Sequence, residues 1–504
     1  MDAMRSLQFT LFAILLCCQY GIGYRIYILP EPGAFCLGVF SGDDCITWSE
    51  YSAHPKFADH STTLIFTPGV YTNRYSYSYR TFTLANVKRF TMTGNGAQLQ
   101  FPLTFSNVGE VRMLNLTISI TNNPTISVQN VQSFVMENCT LSQAYRYSYY
   151  QPVGINMYIS SSNLSRIVNS TFAKVTIDVR SYSTLLVETS TFMNSSQIKG
   201  DTYSSVNIYT SRFINNYASS YGVVYTQGPL EIIDCLFDSN SVSGGAVVYS
   251  VEDVTIRNST FIRNSASYLS YYYRYRPPYY YTRFYQGGSA IRGQRNINIY
   301  NCTFSLYMQT SSIVYSYSYC YSRYHYYGYD CQEGLYEVYI ADSEFYDSSR
   351  SIYSYNNVTI VDSSFYNITA PSGGGGVVYS TKSVAITNCM FINSTAVYGN
   401  GGVIYSQQWI SIVDSVLTDA TATGGSGGAL YSQQDEINIT SCTISDSIAT
   451  YDGGAVYAKS TVTIANSSIV DSESKSGSGG AIYTNDDCTA INSEFRHNMA
   501  SNGN

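Results

Sequence analysis

A repeat of about 26 residues constrains this chain more than any other feature of its sequence. Between Pro371 and Asn504 one motif returns as GGGGVVYS, GNGGVIYS, GSGGALYS, DGGAVYA and GSGGAIYT. A fixed period in this range predicts a repeat architecture, in which each unit buries its apolar face only against its neighbours. The tyrosines of the motif follow one another at 26-residue intervals, at Tyr379, Tyr405, Tyr431, Tyr457 and Tyr483.

A second signal precedes each glycine pair, in segments such as VAITNCMFINS and INITSCTISDS. Apolar residues alternate there with small or polar ones, a period of two that indicates strands with one buried face. Short strands, glycine pairs and no helical pattern predict one turn of a parallel β-helix per repeat, rising by roughly 4.8 Å. The alternating apolar pairs are Val384/Ile386, Ile410/Ile412, Ile437/Ile439 and Val462/Ile464.

Stacking places like residues on like, so each recurring residue type predicts a column. The glycine pairs provide positive φ or close backbone approach at bends. The recurring tyrosine is expected to form a structural aromatic ladder, and an exposed tyrosine stripe for ligand binding is the alternative. Asn or Asp residues at the bend are expected to form a polar ladder, at Asn388, Asp414, Asn466 and Asn492.

An aromatic or aliphatic residue recurs just after the bend and predicts a continuous apolar stack. Fifteen such residues indicate fifteen coils, about 70 Å of stacked length at the usual strand spacing. They are Ile118, Leu141, Phe172, Phe192, Phe213, Phe237, Phe261, Phe304, Phe345, Phe365, Phe391, Leu417, Ile444, Ile469 and Phe495.

The GGA[ILV]Y motif is paired with F-x-x-N, as in Phe213 to Asn216, Phe237 to Asn240 and Phe495 to Asn498. This pairing resembles the repeats of the chlamydial polymorphic outer-membrane protein family, and more broadly secreted pectin-lyase-like right-handed β-helices. The resemblance covers most of residues 105–504 and implies a passenger domain for adhesion, with no catalytic residues to carry over. The chain departs from that family in its many glycosylation sequons, its 52 tyrosines and the lack of a following barrel segment.

These patterns predict an all-β chain, a single right-handed parallel β-helix solenoid with an N-terminal cap. Residues 1–23 have the charged start, apolar core and small-residue end of a cleaved secretory signal. Residues 24–60 lack the repeat and are expected to cap the first coil. The β-helix is assigned to 61–504, with tyrosine-rich insertions at 265–286 and 316–337. Because the chain stops where a further Gly-Gly-Ala would follow, we expect more sequence beyond Asn504.

Composition limits the partners. Charged residues are 12% of the chain and the formal net charge is -7, which argues against a nucleic-acid partner. After the signal, no stretch is apolar enough to span a bilayer. We therefore expect a secreted, extracellular protein without a cofactor.

The cysteines divide into two groups. Cys36 with Cys45, and Cys320 with Cys331, are expected to form disulfides in an oxidising compartment. Cys139, Cys235, Cys302, Cys389 and Cys442 occupy the slot just after the bend residue, where intervening coils carry serine, and two coils would separate such cysteines by about 9.6 Å, beyond disulfide reach. Cys488 lies in an adjacent strand slot and is expected to behave in the same way. Buried free thiols are therefore expected at Cys139, Cys235, Cys302, Cys389, Cys442 and Cys488.

A catalytic function finds little support in the sequence. Polysaccharide hydrolysis needs paired carboxylates, and the nearest candidates are Asp43-Asp44 and Asp486-Asp487. The four histidines are scattered, and no Cys/His spacing suggests zinc. We expect a protein that is not an enzyme; a polysaccharide lyase or glycoside hydrolase of the β-helix class is the alternative.

The tyrosine-rich insertions have three interpretations: sugar binding through aromatic faces and arginines, oxidative cross-linking in a matrix, or low-complexity expansion on a rigid scaffold. Insertions in repeat proteins form surface loops that often bind ligands. The candidate binding residues are Tyr271, Tyr273, Arg274, Tyr275, Arg276, Tyr279, Tyr281, Tyr324 and Tyr326.

Sequons for N-glycosylation are abundant. Some, such as Asn169 and Asn301, coincide with the bend ladder, where N-x-T can arise from strand pattern alone. The candidate glycosylation sites are Asn163, Asn194, Asn357, Asn367, Asn393 and Asn438.

Together these features predict a secreted structural or adhesive glycoprotein of the extracellular matrix or cell surface. Two kinds of partner are expected. One is a glycan bound by the tyrosine-rich loops, and the other is a second copy of the chain, stacked end to end into fibres.

Overall fold

The computed structural model describes residues 24–29, 44–47, 61–71, 74–75, 78–79, 81–120, 125–143, 154–219, 221–267, 290–305, 312–317, 320–321, 330–331 and 336–501. All regular structure within these ranges is β-strand. The chain divides into two compact units, the first formed by 1–216 with 226–228 and the second by 217–225 with 229–504. The predicted all-β, right-handed parallel β-helix is confirmed.

The first unit contains long strands early and three short strands per coil later. Its strands are Tyr24–Leu29, Asp44–Thr47, Ser61–Phe66, Gly69–Tyr71, Arg74–Tyr75, Ser78–Tyr79, Phe82–Ala85, Arg89–Leu99, Leu103–Ile118, Thr125–Glu137, Thr140–Ser142, Ile155–Ser160, Leu164–Val168, Thr171–Ala173, Val175–Arg180, Thr184–Glu188, Thr191–Met193, Gln197–Gly200, Ser205–Tyr209 and Arg212–Ile214.

The second unit repeats three or four short strands per coil. Its strands are Tyr217–Ala218, Val224–Thr226, Leu230–Ile233, Leu236–Asp238, Ser241–Ser243, Val248–Ser250, Val254–Arg257, Thr260–Ile262, Ser265–Ser267, Ile291–Gly293, Ile297–Tyr300, Thr303–Ser305, Val314–Ser316, Cys320–Tyr321, Asp330–Cys331, Glu337–Ala341, Glu344–Ser349, Ile352–Ser354, Asn357–Val361, Ser364–Ala370, Val378–Ser380, Val384–Thr387, Met390–Ala396, Ile404–Ser406, Ile410–Val413, Val416–Ala422, Leu430–Ser432, Ile437–Thr440, Thr443–Ser445, Ile448–Ala449, Val456–Ala458, Val462–Ala465, Ser468–Val470, Glu473–Ser474, Ile482–Thr484, Cys488–Ile491, Glu494–Arg496 and Met499–Ala500.

Successive coils pair in parallel, so the apolar residue after the bend stacks on its counterpart. In the second unit this column runs from Phe237 to Phe495 with Phe, Leu or Ile at every level. In the first unit it reaches back from Phe213 to Ile118, as predicted, and continues to Leu99 and Tyr71. The repeat motif does not predict these two levels because it is absent from the strands Gly69–Tyr71 and Arg89–Leu99.

Two polar columns fix the bend. On the outside, Asn and Asp adopt positive φ, and several Asn Nδ2 atoms donate to the adjacent coil, as from Asn388 to Asp362 at 2.5 Å. On the inside, a buried serine accepts a backbone N–H from the adjacent coil, as Ser415 Oγ does from Cys389 N at 3.0 Å. The predicted bend ladder is confirmed, and it satisfies backbone groups that a bend leaves unpaired.

The asparagine of the F-x-x-N motif has a separate role. Asn264 is buried, accepts the backbone N–H of Asn240 at 2.9 Å and donates to the Phe237 carbonyl at 2.8 Å. It therefore caps the turn of the neighbouring coil through both ends of its amide. Asn216 and Asn498 make equivalent contacts in their own units.

The glycine pairs meet two different demands, as predicted. The first glycine of a pair, such as Gly401, has φ of 68°. A Cβ added to the second, Gly402, would lie 2.1 Å from the Gly428 carbonyl oxygen. Any side chain there would collide with the backbone of the next coil, so only glycine allows this stacking.

Five of the six predicted free thiols are buried: Cys139, Cys235, Cys302, Cys389 and Cys442. Burial raises the pKa of Cys139, Cys302 and Cys389 to about 11. The expectation of burial is wrong for Cys488, which is free but exposed. Its strand, Cys488–Ile491, pairs with Val462–Ala465 on one side, and no strand among the described residues covers the other.

Candidate functional site

A column of tyrosines runs along one face of the second unit. Each tyrosine is the central residue of a three-residue strand, as in Val378–Ser380, where both neighbours are buried and the tyrosine is partly exposed. From Tyr353 to Tyr483 the strands pair in register, and one ring follows another at every coil. The members of this tyrosine column are Tyr225, Tyr249, Tyr315, Tyr353, Tyr379, Tyr405, Tyr431, Tyr457 and Tyr483.

The rings of the column stack on one another rather than opening outward. Between Tyr379 and Tyr405 the centroids are 4.7 Å apart and the planes differ by 2°. Burial, and then the neighbouring phenols, raise the pKa of Tyr405 above its ordinary value. The predicted aromatic ladder is therefore confirmed, and because its ring faces cover each other it offers no open face for a sugar ring.

Some column hydroxyls bond to a side chain that lies two residues after the column position of another coil. Tyr405 donates to Gln433 on the next coil. At the other end of the column, the Tyr249 and Tyr317 hydroxyls lie 2.6 Å apart, and Gln294 Nε2 donates to Tyr249 at 2.9 Å and also to Tyr317. These three residues form a hydroxyl–amide cluster beside the column.

One position of the column holds arginine instead of tyrosine. Arg292 pairs in register with Tyr249 on one side and Tyr315 on the other. Its Cζ lies 5.1 Å from the Tyr249 ring centroid, 5.5 Å from that of Tyr315 and 4.4 Å from that of Tyr317. Arg292 is 6% exposed, and its Nε has no hydrogen-bond partner among the residues that the structure describes.

A second arginine beside the column is fully engaged. Arg350 lies over the Tyr353 and Tyr379 rings, at 5.6 and 5.7 Å, and donates to the carbonyls of Gly375 at 3.0 Å and Ser372 at 2.5 Å. Burial lowers the pKa of Arg350 to about 10, which still leaves it charged at neutral pH. It ties the glycine turn to the column.

Exposed tyrosines occur instead on the turns that carry the glycine pairs. Tyr398 is 81% exposed and Tyr451 is 53% exposed. Gly424 occupies the coil between them: a Cβ there would lie 2.8 Å from Tyr398 Cα, and Tyr451 N donates to the Gly425 carbonyl. The two tyrosines are thus two coils apart, roughly 9.6 Å, with backbone alone between them.

The first unit also presents exposed aromatic rings. Tyr182 and Tyr203 are 73% and 64% exposed, and their rings stack at 4.8 Å with planes 24° apart. Tyr182 has φ of 63°, and Asp201 accepts the backbone N–H of Tyr203 at 3.1 Å. Each ring keeps its outer face open.

Several predicted sites lie outside the described residues or at their edge. All nine binding candidates, from Tyr271 to Tyr281 with Tyr324 and Tyr326, lie outside, as does Cys36. Only the backbone of Cys45, Cys320 and Cys331 is described. Cys320 and Cys331 face each other directly in an antiparallel pair, and their disulfide, like that of Cys36 with Cys45, remains a prediction.

The sequon candidates fall into two groups. Asn163, Asn194 and Asn357 are exposed, and Asn438 is partly exposed with Nδ2 donating to Glu436 at 3.0 Å. Asn367 and Asn393 instead belong to a second outer bend ladder, in which Asn393 donates to Asn367 at 2.9 Å and Asn367 to Asp347 at 2.8 Å. N-glycosylation of Asn367 or Asn393 would modify the same side-chain amide that donates the hydrogen bond in that ladder. Glycosylation remains a prediction at all six.

Of the carboxylates considered for catalysis, Asp486 and Asp487 are exposed, and the Asp487 carbonyl accepts the Val462 N–H within the strand pairing. Asp43 lies outside the described ranges. In the part of the chain that the structure describes, no group of three or more His, Cys, Asp or Glu side chains could hold a metal ion, and no helix could cross a membrane.

The sequence signals for Arg292 and the Tyr398/Tyr451 pair were available but went unread. Gly287-Gly288-Ser289-Ala290-Ile291-Arg292 aligns with Gly244-Gly245-Ala246-Val247-Val248-Tyr249, which places the arginine in the tyrosine slot. Likewise Tyr398, Gly424, Tyr451 and Gly477 recur at one repeat interval.

Comparison with known proteins identifies the fold. The family described as "Right handed beta helix region" matches residues 103–261. No curated protein sequence gives a significant match. Among solved structures, the PL6 family alginate lyase AlyGC is 9% identical, with 89% of this chain and 88% of that chain covered and a TM-score of 0.22. A likeness this weak implies neither activity nor substrate. The matched segment is a right-handed β-helix region.

Proposed function

We propose that this protein is a secreted, non-catalytic structural or adhesive glycoprotein of the extracellular matrix or cell surface, and that it binds glycans. The observation that carries the proposal is the pair Tyr398 and Tyr451, two exposed tyrosines held two coils apart on glycine turns. The repeat motif's resemblance to polymorphic outer-membrane adhesins supports the same role.

The spacing of the pair suits an extended polysaccharide. Aromatic faces bind the apolar face of a sugar ring, and each such contact is weak by itself. An extended β-1,4-linked chain presents the same face at every second sugar, a repeat of the same order as two coil heights, roughly 9.6 Å. Tyr398 and Tyr451 would then stack on alternate sugars of one chain lying along the coil axis.

Weak platforms of this kind add through multivalency. A second contact on the same ligand becomes intramolecular, so retention on a polymer exceeds what either contact gives alone. Tyr182 and Tyr203 offer a further platform in the first unit. Many weak contacts on a rigid scaffold fit adhesion better than turnover of a substrate, which needs release.

The test measures retention of the full-length secreted protein on insoluble cellulose and chitin, together with newly released reducing ends. Tyr398→Ala and Tyr451→Ala should each reduce retention, and the double variant should lose more than either. Tyr398→Phe is the matched control, since it keeps the ring face and should retain binding.

Both side chains are exposed, so the melting temperature of each variant should match that of the unchanged protein and exclude misfolding. Equal retention of the double variant and the unchanged protein would refute the role of this pair. Released chain ends would instead favour the lyase or hydrolase alternative.

A further inference from the structure

We propose that Arg292 forms an anion-binding site that receives a carboxylate or sulfate group of an acidic glycan. The inference rests on the proposed glycan-binding function and adds a ligand class to it. The site consists of Arg292 in the tyrosine column with the adjoining cluster of Tyr249, Tyr317 and Gln294.

The first argument is the missing counter-ion. Arg89, Arg166, Arg180, Arg263 and Arg295 are all about half exposed, yet each pairs with a carboxylate. Arg292 is 6% exposed, and no carboxylate pairs with it among the described residues. Exposed charges need a partner least and buried charges need one most.

Ring contacts compensate this buried charge only in part. Three tyrosine rings surround the guanidinium, with Cζ between 4.4 Å and 5.5 Å from their centroids. Cation–π contacts stabilise a cation but use none of its N–H donors. Within the described ranges the Nε–H therefore finds no acceptor, which burial makes unfavourable.

The second argument is the chemistry that would satisfy those donors. A guanidinium presents its N–H groups in a planar fork that matches the two oxygens of a carboxylate or sulfate. Beside it, the Tyr249 and Tyr317 hydroxyls lie 2.6 Å apart, a pair able to donate to a third oxygen. An anion here would meet a full positive charge and neutral donors together.

The third argument is position. Tyr317 and Gln294, which border the guanidinium on the outer side of the column, are only partly buried. A change of side-chain rotamer there would connect Arg292 to solvent without moving the strands. The column runs across successive strands along the coil axis, the direction in which Tyr398 and Tyr451 would hold a glycan chain.

Because Arg292 replaces tyrosine at one level of the column, Arg292→Tyr is the most informative variant. Arg292→Tyr restores the residue found at every neighbouring level, so a purely structural arginine could be replaced without loss of stability. Arg292→Lys keeps the charge but loses the fork. Arg257→Gln is the control, because Arg257 is exposed and its Cζ lies 4.2 Å from the Tyr300 ring centroid on another face.

Binding is measured by calorimetry on the full-length protein with three probes: a short oligogalacturonate, the same oligosaccharide with its carboxylates reduced to alcohols, and free sulfate. We expect the acidic oligosaccharide to bind the unchanged protein and Arg257→Gln alike. Arg292→Tyr should weaken it on the order of tenfold to a hundredfold, the loss of a charge-assisted hydrogen-bonded pair. Arg292→Lys should lie between.

A second readout separates ligand binding from folding. The acidic oligosaccharide should raise the melting temperature of the unchanged protein, because it binds only the folded state, and should leave that of Arg292→Tyr unchanged. Retention on neutral polysaccharide through Tyr398 and Tyr451 should be the same in both proteins, so failure there would concern the proposed function alone.

Two results would overturn the proposal: no binding of the acidic oligosaccharide to the unchanged protein, or equal affinity in Arg292→Tyr. Binding of free sulfate as tight as that of the oligosaccharide, lost in Arg292→Tyr, would keep the anion site but make a small free anion its ligand.

Discussion

The stacked apolar column predicts the cost of opening one level of the second unit. Phe365 is fully buried between Phe345 and Phe391, with ring centroids 4.7 and 5.0 Å away. Phe365→Ala leaves a cavity enclosed by the coils above and below, and should cost about 3–5 kcal/mol. Phe365→Leu keeps most of the apolar volume and should cost about 1–3 kcal/mol, since two ring contacts of roughly 0.5–1.5 kcal/mol each are lost.

Other residues of the apolar column support the smaller cost expected for Phe365→Leu. Leucine already occupies this column at Leu417, one coil beyond Phe391, where it is fully buried. The column therefore accepts a leucine between aromatic or aliphatic neighbours. An alanine at the same depth has no precedent in the levels from Phe237 to Ile469.

Urea unfolding followed by circular dichroism gives the free energies, and hydrogen exchange locates the damage. Because each coil contacts only its neighbours, amides of Ser364–Ala370, Glu344–Ser349 and Met390–Ala396 should exchange faster in Phe365→Ala. Amides of Ser468–Val470, four coils away, should keep their rates. Equal losses for the two variants, or a loss below about 1 kcal/mol for alanine, would refute the cavity argument.

Three further predictions follow from the columns. Because the pKa of Tyr405 is higher in the folded than in the unfolded state, its contribution to stability is fully present below about pH 10 and is lost as pH rises through the folded-state pKa. Urea unfolding at increasing alkaline pH should show a falling free energy of unfolding, and Tyr405→Phe should make that decrease smaller. Iodoacetamide should modify Cys488 in the folded protein and the five buried thiols only after unfolding, a pattern that Cys488→Ser should abolish at the first step. Asn388→Ala should destabilise by about 1–3 kcal/mol, since alanine resists the φ of 52° and the bond to Asp362 is lost, whereas Asn388→Gly should lose only the bond; equal unfolding free energies for these two variants would contradict the backbone argument.

Residues that recur in one slot could be predicted from the sequence because stacking repeats their environment. The period predicts the levels of Tyr379 and Phe391, positive φ or close backbone approach at Gly401, and the burial of Cys389. Cys488 failed this logic because burial depends on the coil above as well as on the slot. The motif is defined by the residues of one coil, whereas the burial of a side chain also depends on the coil that packs against it.

The candidate sites were harder to predict because they are departures from the repeat. Arg292 matters since it differs from the tyrosines around it, and a search for recurring residues passes over such a position. Tyr398 and Tyr451 occupy the same position of the repeat two coils apart, and Gly424 occupies it in the coil between them. A search for a residue that recurs in every coil therefore does not find them. The sequence directed attention to the tyrosine-rich insertions, whose candidate binding residues lie outside the described part of the chain.

The glycine contact described above also bears on how such a chain can change length. Gly376 meets the carbonyl of Gly402, Gly402 that of Gly428, and Gly428 that of Gly454, each with a hypothetical Cβ at 2.0 to 2.1 Å. These three junctions therefore share one glycine contact, so excising one whole 26-residue period between them would join glycines that already meet in the same way. Recombination between repeats could shorten or extend the scaffold in whole steps, and with each step set the interval between Arg292 and the tyrosines of the glycine turns.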